Sequence, residues 1–242
     1  PLIGLSTYAA GALYILNDMA SYTFDEGIIP NTEYFQKREE IDPSFLAEMA
    51  EILEVRNNQY HLPTNLSVSC YFTNHDYDTV RKWRRNDNAG LRGGELLFSE
   101  CLRYAIAQRE EDQEQARHAM EVIRKLVDGF SKLMAVPNGG LGPEYPGILA
   151  RFYAAPEDRD TFPGLFVEHY KNYNGTGRYK NWRVRLKTSK DEVGGYFLGL
   201  ASILKFIDPE DSEDAKWCYE TVRLITAQLL EGFMKNNWLL LD

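Results

Sequence analysis

Antiparallel helix pairs, an all-α class carrying one small β-hairpin, are what this sequence predicts, and three observations carry the prediction. Apolar residues recur at helical spacing through several long segments. Short acidic or proline-bearing breaks separate those segments two by two. A period-two alternation replaces the helical period once, between Tyr179 and Lys187.

In chain order, the segment from Pro1 to Leu16 carries no charge, but Asn17 and Asp18 stop the run short of the roughly 20 residues that span a bilayer. A buried helix rich in small residues (Gly4, Ala9, Ala10, Gly11, Ala12) is the preferred reading, with a membrane anchor or a trimmed signal as its rival. An initial proline suggests a processed product or a fragment of a longer chain. Asp42-Pro43-Ser44 then gives a start signal, and Leu46, Met49, Ala50 and Leu53 form one stripe, predicting a helix over 43–57.

Leu96, Leu97, Cys101, Leu102, Ala105 and Ile106 predict the next helix. Ala116, Ala119, Val122, Ile123, Leu126, Val127, Phe130 and Leu133 predict its partner, across an acidic turn at 108–113. The plan recurs as 193–207, a break at Asp208-Pro209-Glu210-Asp211, and 212–235. Gly93-Gly94 opens the earlier pair and Gly194-Gly195 the later, while Ala116 and Ala215 open the two second helices, a weak repeat of roughly one hundred residues. Glycine costs about 1 kcal/mol against alanine inside a helix, so its placement predicts close backbone approach. A third, earlier hairpin would join 5–19 to 43–57. The stretches 58–88 and 136–190 are too long for plain turns and are expected to carry function or local strands.

The alternation sets Trp182, Val184 and Leu186 against Arg183, Arg185 and Lys187, after the turn residues Asn174-Gly175-Thr176-Gly177. A β-hairpin near 170–187 is therefore expected, with one packed face and one cationic face.

Bulk properties narrow the function classes. A net charge of −9 and a pI near 5.1 exclude binding of nucleic acid through general electrostatics. Cys70, Cys101 and Cys218 form no CxxC or Cys/His cluster, so buried free thiols are preferred over one disulfide with a leftover thiol. Asn65-Leu66-Ser67 and Asn174-Gly175-Thr176 match the N-glycosylation pattern. No metal is expected: 172–183 begins like an EF-hand but has Arg183 where the bidentate glutamate belongs, and His61, His75, His118 and His169 lack ligand spacing. An Asx-rich turn is preferred over calcium binding for Asn74, Asp76 and Asp78. With no Gly-rich phosphate loop and no nucleophile elbow, no cofactor is called for.

Asn86-Asp87-Asn88-Ala89-Gly90 leads into the Gly-Gly helix, the acidic turn and the alanine-rich second helix. Asn138-Gly139-Gly140-Leu141-Gly142, Leu149-Ala150-Arg151 and Thr188-Ser189-Lys190-Asp191 follow before another small-residue helix. Over roughly residues 80–242 this layout resembles the α/α-toroid proteins, the six-hairpin glycosidase-like superfamily of glycoside hydrolases and polysaccharide lyases. The resemblance implies inner helices around a funnel, with substrate and catalytic groups on the loops that enter them. It places Asp87, Arg151 and Asp191 on those loops. A closed ring needs about twelve helices and about six are visible, so 1–242 is expected as a single helical-hairpin domain, either an open toroid or the N-terminal part of a larger one.

Cleavage of a glycosidic bond needs two carboxyl groups flanking the scissile oxygen. Asp87 and Asp191 hold comparable places before the two Gly-rich helices and are the catalytic candidates, with helix capping the competing role. Glu95 and Glu144 rank behind them. From His169 to Lys190 no acidic residue occurs among Lys171, Arg178, Lys180, Arg183, Arg185, Lys187 and Lys190, and aromatics such as Tyr145, Tyr170, Tyr179 and Trp182 crowd the same region. Sugar rings pack on aromatic faces and uronate or sulfate groups bind arginine, so Tyr145, Arg151, Trp182, Arg183 and Arg185 are the substrate-binding candidates. The competing role is core packing with protection of a sheet edge. The expectation is an extracellular or cell-surface protein that binds, and in the fuller reading cleaves, an acidic glycan. Its rival is a non-enzymatic assembly subunit that self-associates through the segment from Pro1 to Met19.

Overall fold

The computed structural model of the chain describes residues 43–74, 76–84 and 88–240. The helix expected before Met19, with its anchor and self-association readings, lies outside them, and so does Asp87. Contacts divide the chain into two compact units, Pro1–Asn57 and Asn58–Asp242.

In the first unit the helix expected over 43–57 is α1, Pro43–Arg56. It buries Ala50 and leaves Phe45, Ile52 and Val55 exposed.

The second unit is built on four long helices. α2 (Ala89–Arg109) and α3 (Gln113–Asn138) form one antiparallel hairpin: Gly93 lies against Phe130 near its open end, and Arg103 donates to Gln115 near its turn. All eight stripe residues of α3, from Ala116 to Leu133, are buried. Asp112 caps its start, Oδ1 accepting from the amide of Gln115 at 3.0 Å. Gly139, with a left-handed φ of 86°, ends it and donates to the carbonyl of Ala135. α5 (Lys190–Phe206) and α6 (Glu213–Lys235) form the second hairpin, joined at its open end by Phe197 and Phe233 with ring centroids 6.2 Å apart. Ser212 caps α6 through the amide of Ala215.

Strands of three or four residues fill the connections. β1 (Cys70–Phe72) and β2 (Val80–Trp83) make an antiparallel ribbon with an irregularity between Tyr71 and Phe72. β3 (Phe152–Ala154), β4 (Asn172–Asn174) and β5 (Arg183–Arg185) make a sheet of order β3-β5-β4, and α4 (Pro156–Thr161) follows β3. The predicted hairpin is β4–β5, but a third strand flanks β5 on its other side, so β5 is central rather than at an edge.

The two hairpins lie side by side with like helices parallel. Contacts between α2 and α5 advance together along both, from Gly90 beside Glu192, through Gly94 beside Gly195, to Phe98 beside Phe206 and Tyr104 bonded to Asp211. Arg124 of α3 likewise meets the start of α6, pairing with Asp214 at 2.7 Å and stacking on Trp217.

Glycine makes the α2–α5 crossing possible. A Cβ on Gly94 would fall inside the carbonyl of Gly195, one on Gly195 would strike Leu91, and one on Gly199 would stand 3.1 Å from the Cα of Gly94. Phe130 closes the crossing from α3: it fills the space beside Gly93 and stacks on Tyr196 at 4.6 Å, whose hydroxyl donates to the Phe130 carbonyl. The expectation that all four paired glycines are closely packed needs one correction. Gly194 is exposed, with open space where a Cβ would go. Successive helix residues point about 100° apart, so with Gly195 turned toward α2, Gly194 turns away. The glycines of the two hairpins thus face each other instead of repeating one environment.

Replacing Gly94 or Gly195 by alanine should cost about 3 kcal/mol or more, because backbone atoms must move to admit the methyl group. Gly194→Ala should be neutral or stabilising by up to about 1 kcal/mol. Denaturant midpoints of the three variants against the parent check this contrast.

Candidate functional site

The connection from α3 to α5 gathers at the end of the second unit where α2 and α5 begin and α3 ends. Two buried amides hold the glycine-rich loop that follows α3. Asn138 donates to the carbonyls of Met134 and Ile148 and accepts from the amide of Ile148. Gln228, fully buried on α6, accepts from the amide of Gly142 at 3.0 Å and donates to the carbonyl of Pro146 at 2.8 Å. Thr176 ties the turn between β4 and β5 to the end of α3, its amide donating to Val136 O and its hydroxyl to Pro137 O. Loops fixed this way present their side chains without much conformational cost.

Tyr145 sits half-buried on this loop, its ring over Gly140, where no Cβ would fit. Arg151 is half-buried beside the start of α2: its guanidinium donates to Asn88 Oδ1 and to the carbonyl of Lys187, each at 3.3 Å. Asp191 is exposed in the first turn of α5, where a carboxylate complements the helix dipole. Its neighbour Glu192 is buried, at 1% exposure, and its Oε2 accepts from the amide of Gly90 at 2.7 Å, so this carboxylate bridges the starts of α2 and α5. Of the weaker carboxylate candidates, Glu144 is exposed and Glu95 half-buried.

The arginines of β5 are engaged inside the fold. Register sets Arg183 opposite Asn174 and Arg185 opposite Asn172, and directly opposed residues share a face. Arg183 donates to Asn174 Oδ1 at 2.7 Å and grips Glu168 with two bonds of 3.1 and 2.7 Å. Arg185, only 2% exposed, donates to Asn172 Oδ1 and to the carbonyl of Val167. On the face expected to be cationic, Arg185 is buried over its partners, while Arg183 is held nearer the surface by the exposed Glu168 and Asn174. Trp182 packs between Tyr153 and Tyr179, with centroids 5.7 and 5.2 Å away. The structure therefore leaves Arg151 and Tyr145 at the loop-covered end and draws Trp182, Arg183 and Arg185 into the sheet's own packing.

Other constellations resolve into structural roles. In the turn between β1 and β2, Thr79 and Asn74 both donate side-chain bonds to Asp78 Oδ1, and these bonds hold the Asp78 carboxyl below its usual range. Asn65, in the first glycosylation match, donates its side-chain amide to Asp128 at 2.6 Å. Among the described residues no three His, Cys, Asp or Glu side chains converge on a metal site, and no helix is long and apolar enough to cross a membrane.

All three cysteines are free thiols. Cys70 lies 3.9 and 4.0 Å from the two ring nitrogens of His61, a proximity that no spacing in the sequence signals. Nδ1 of that ring is already bonded to the Val68 carbonyl, and burial pushes the Cys70 thiol up to about 11. Burial likewise pushes Cys218 up to about 12 and Cys101 well above the usual range. A thiol held protonated is a poor nucleophile.

No family model, curated protein or solved structure matches this chain. Function must be read from the chain's own geometry.

Arg185→Ala should cost about 2–4 kcal/mol, since it removes a buried side chain and leaves the Val167 carbonyl and Asn172 with lost partners. Arg183→Ala should cost about 1 kcal/mol or less, because Glu168 is exposed. Arg183 hydrogen bonding holds the Glu168 carboxyl below its usual range. The Arg183 contribution is therefore full above the ordinary carboxylate range and vanishes as pH falls through the lowered Glu168 value. Thermal unfolding of both variants across acidic pH measures these effects. In alkylation at mildly alkaline pH, all three thiols should react slowly in the folded protein and rapidly once it is unfolded in denaturant.

Proposed function

We propose that the protein binds an acidic oligosaccharide at the loop-covered end of its two hairpins, with Arg151 meeting the anionic group and Tyr145 offering a face to a sugar ring. One observation carries the reading: the loop from Gly139 to Arg151 is pinned from α3 by Asn138 and from α6 by Gln228, which holds Tyr145 in place on a fixed backbone. Arg151 is itself braced by Asn88 and Lys187. A guanidinium held in place spends little entropy on gripping a carboxylate or sulfate.

The parallel neighbours α2 and α5, each followed in the chain by its antiparallel partner, support an α/α toroid as the architecture that holds this site. Binding is favoured over cleavage. A cleaving site would add a second carboxyl group facing Asp191 across the bond to be broken, the role the sequence reserves for Asp87. A second reading, a non-enzymatic assembly subunit, is favoured by one observation: α5 leaves two leucines partly at solvent, Leu198 40% and Leu204 39% exposed.

Calorimetric titration with neutral, uronate-containing and sulfated oligosaccharides tests the glycan reading. An anionic member should bind, and Arg151→Ala should weaken it at least about tenfold, because a charge-assisted hydrogen bond contributes about 1.5–3 kcal/mol. Tyr145→Ala should weaken binding of every glycan that binds at all. Equal affinity in the parent and in Arg151→Ala would place the ligand elsewhere. Release of new reducing or unsaturated ends, lost in Asp191→Asn, would extend the reading to hydrolysis or to elimination.

A further inference from the structure

Among the described residues nothing covers one face of α5, and its pattern specifies what would cover it. That face carries Asp191, Leu198 and Lys205 at seven-residue intervals, with Gly194 and Ala201 on the adjoining row. All five are exposed. Seven residues make two helical turns, so each row runs nearly straight along the helix. Leu198 is the centre of the stripe, with small residues on either side of it: Gly194, beside which there is open space, and Ala201. Beyond them the charges are opposite, Asp191 toward the start of the helix and Lys205 toward its end, equally far from Leu198.

A pattern with an apolar centre, small flanks and opposite charges at equal distances is complementary to itself when reversed. We infer that α5 is the interface of a two-fold homodimer, in which it packs antiparallel on α5 of a second copy about an axis through Leu198. The two leucines meet at the axis, each over the space left by Gly194 and Ala201 of the other copy, so the helices approach closely. Asp191 of each copy then faces Lys205 of the other, and the symmetry forms that ion pair twice. A parallel pairing in register would instead set Asp191 against Asp191 and Lys205 against Lys205, which selects the antiparallel arrangement. The partner's chemistry is thus that of this same helix. The interface uses neither Arg151 nor Tyr145 and so is compatible with glycan binding, but it engages Asp191, the carboxylate a cleaving site would need.

Sedimentation velocity across a range of concentrations tests the inference on the full chain. The parent should dimerise reversibly. Asp191→Lys alone and Lys205→Asp alone should each weaken dimerisation at least about tenfold, since each turns both symmetric attractions into repulsions. Mixing these two variants should restore association as a heterodimer, because every Lys then faces an Asp. Leu198→Arg should leave a folded monomer with unchanged circular dichroism, its unfolding midpoint no longer dependent on protein concentration. A parent monomeric up to about 0.1 mM, too weak for a specific dimer, would overturn the inference and leave the stripe to a different protein or a membrane surface. So would a dimer indifferent to the charge changes, or a mixture of the two variants that stays monomeric.

Discussion

No side chain fits between α2 and α5 where they cross, and the rest of the second unit is arranged around that steric fact. Gly94, Gly195 and Gly199 let two helix backbones touch. The contact sets the hairpins parallel and side by side, and it brings the starts of both helices to one end. Closeness of backbone has a second consequence there: Glu192, on the same face of α5 as Gly195 and Gly199, reaches the amide of Gly90 and satisfies one of the unpaired N–H groups that open α2. The stacked pair Phe130 and Tyr196 fills the volume the glycines leave toward α3. Conformational freedom lost at glycine is offset by packing that any larger residue would prevent.

The helices were legible in the sequence because their burial follows a 3.6-residue period and their ends carry local signals. The stripe of α3, the acidic turn at 108–113 and the break at Asp208-Pro209-Glu210-Asp211 are all patterns within a few residues along the chain. Strands β1, β2 and β3 were not legible one by one, since three or four residues are too few to show alternation, and β3 exists only because β5 lies beside it. Gly194 was misjudged for a related reason. Two adjacent glycines look alike in sequence, but only one of them can face the neighbouring helix.

The site was legible by residue type and much less so by role. Arg183 and Arg185 stood out as cations in an acidic chain, and the register that pairs them with Asn174 and Asn172 is a property of the folded sheet. A trace of it was present: Asn-x-Asn and Arg-x-Arg lie on either side of one turn, at the spacing that places them opposite each other. Asn138 and Gln228, which pin the glycine-rich loop, are polar residues within buried helix stripes, and Glu192 interrupts the small-residue stripe of α5 in the same way. A lone polar group on an apolar face costs free energy unless it is hydrogen-bonded, so each marks a specific partner before that partner is known.

The dependence of the second unit on backbone contact at the crossing can be observed directly. In uniformly carbon-13-labelled protein, nuclear Overhauser spectroscopy should show cross-peaks between the α-protons of Gly94 and those of Gly195 and Gly199, as strong as those between paired strands. Their absence, with α2 and α5 still helical by chemical shift, would mean that side chains separate the two helices and would contradict the account.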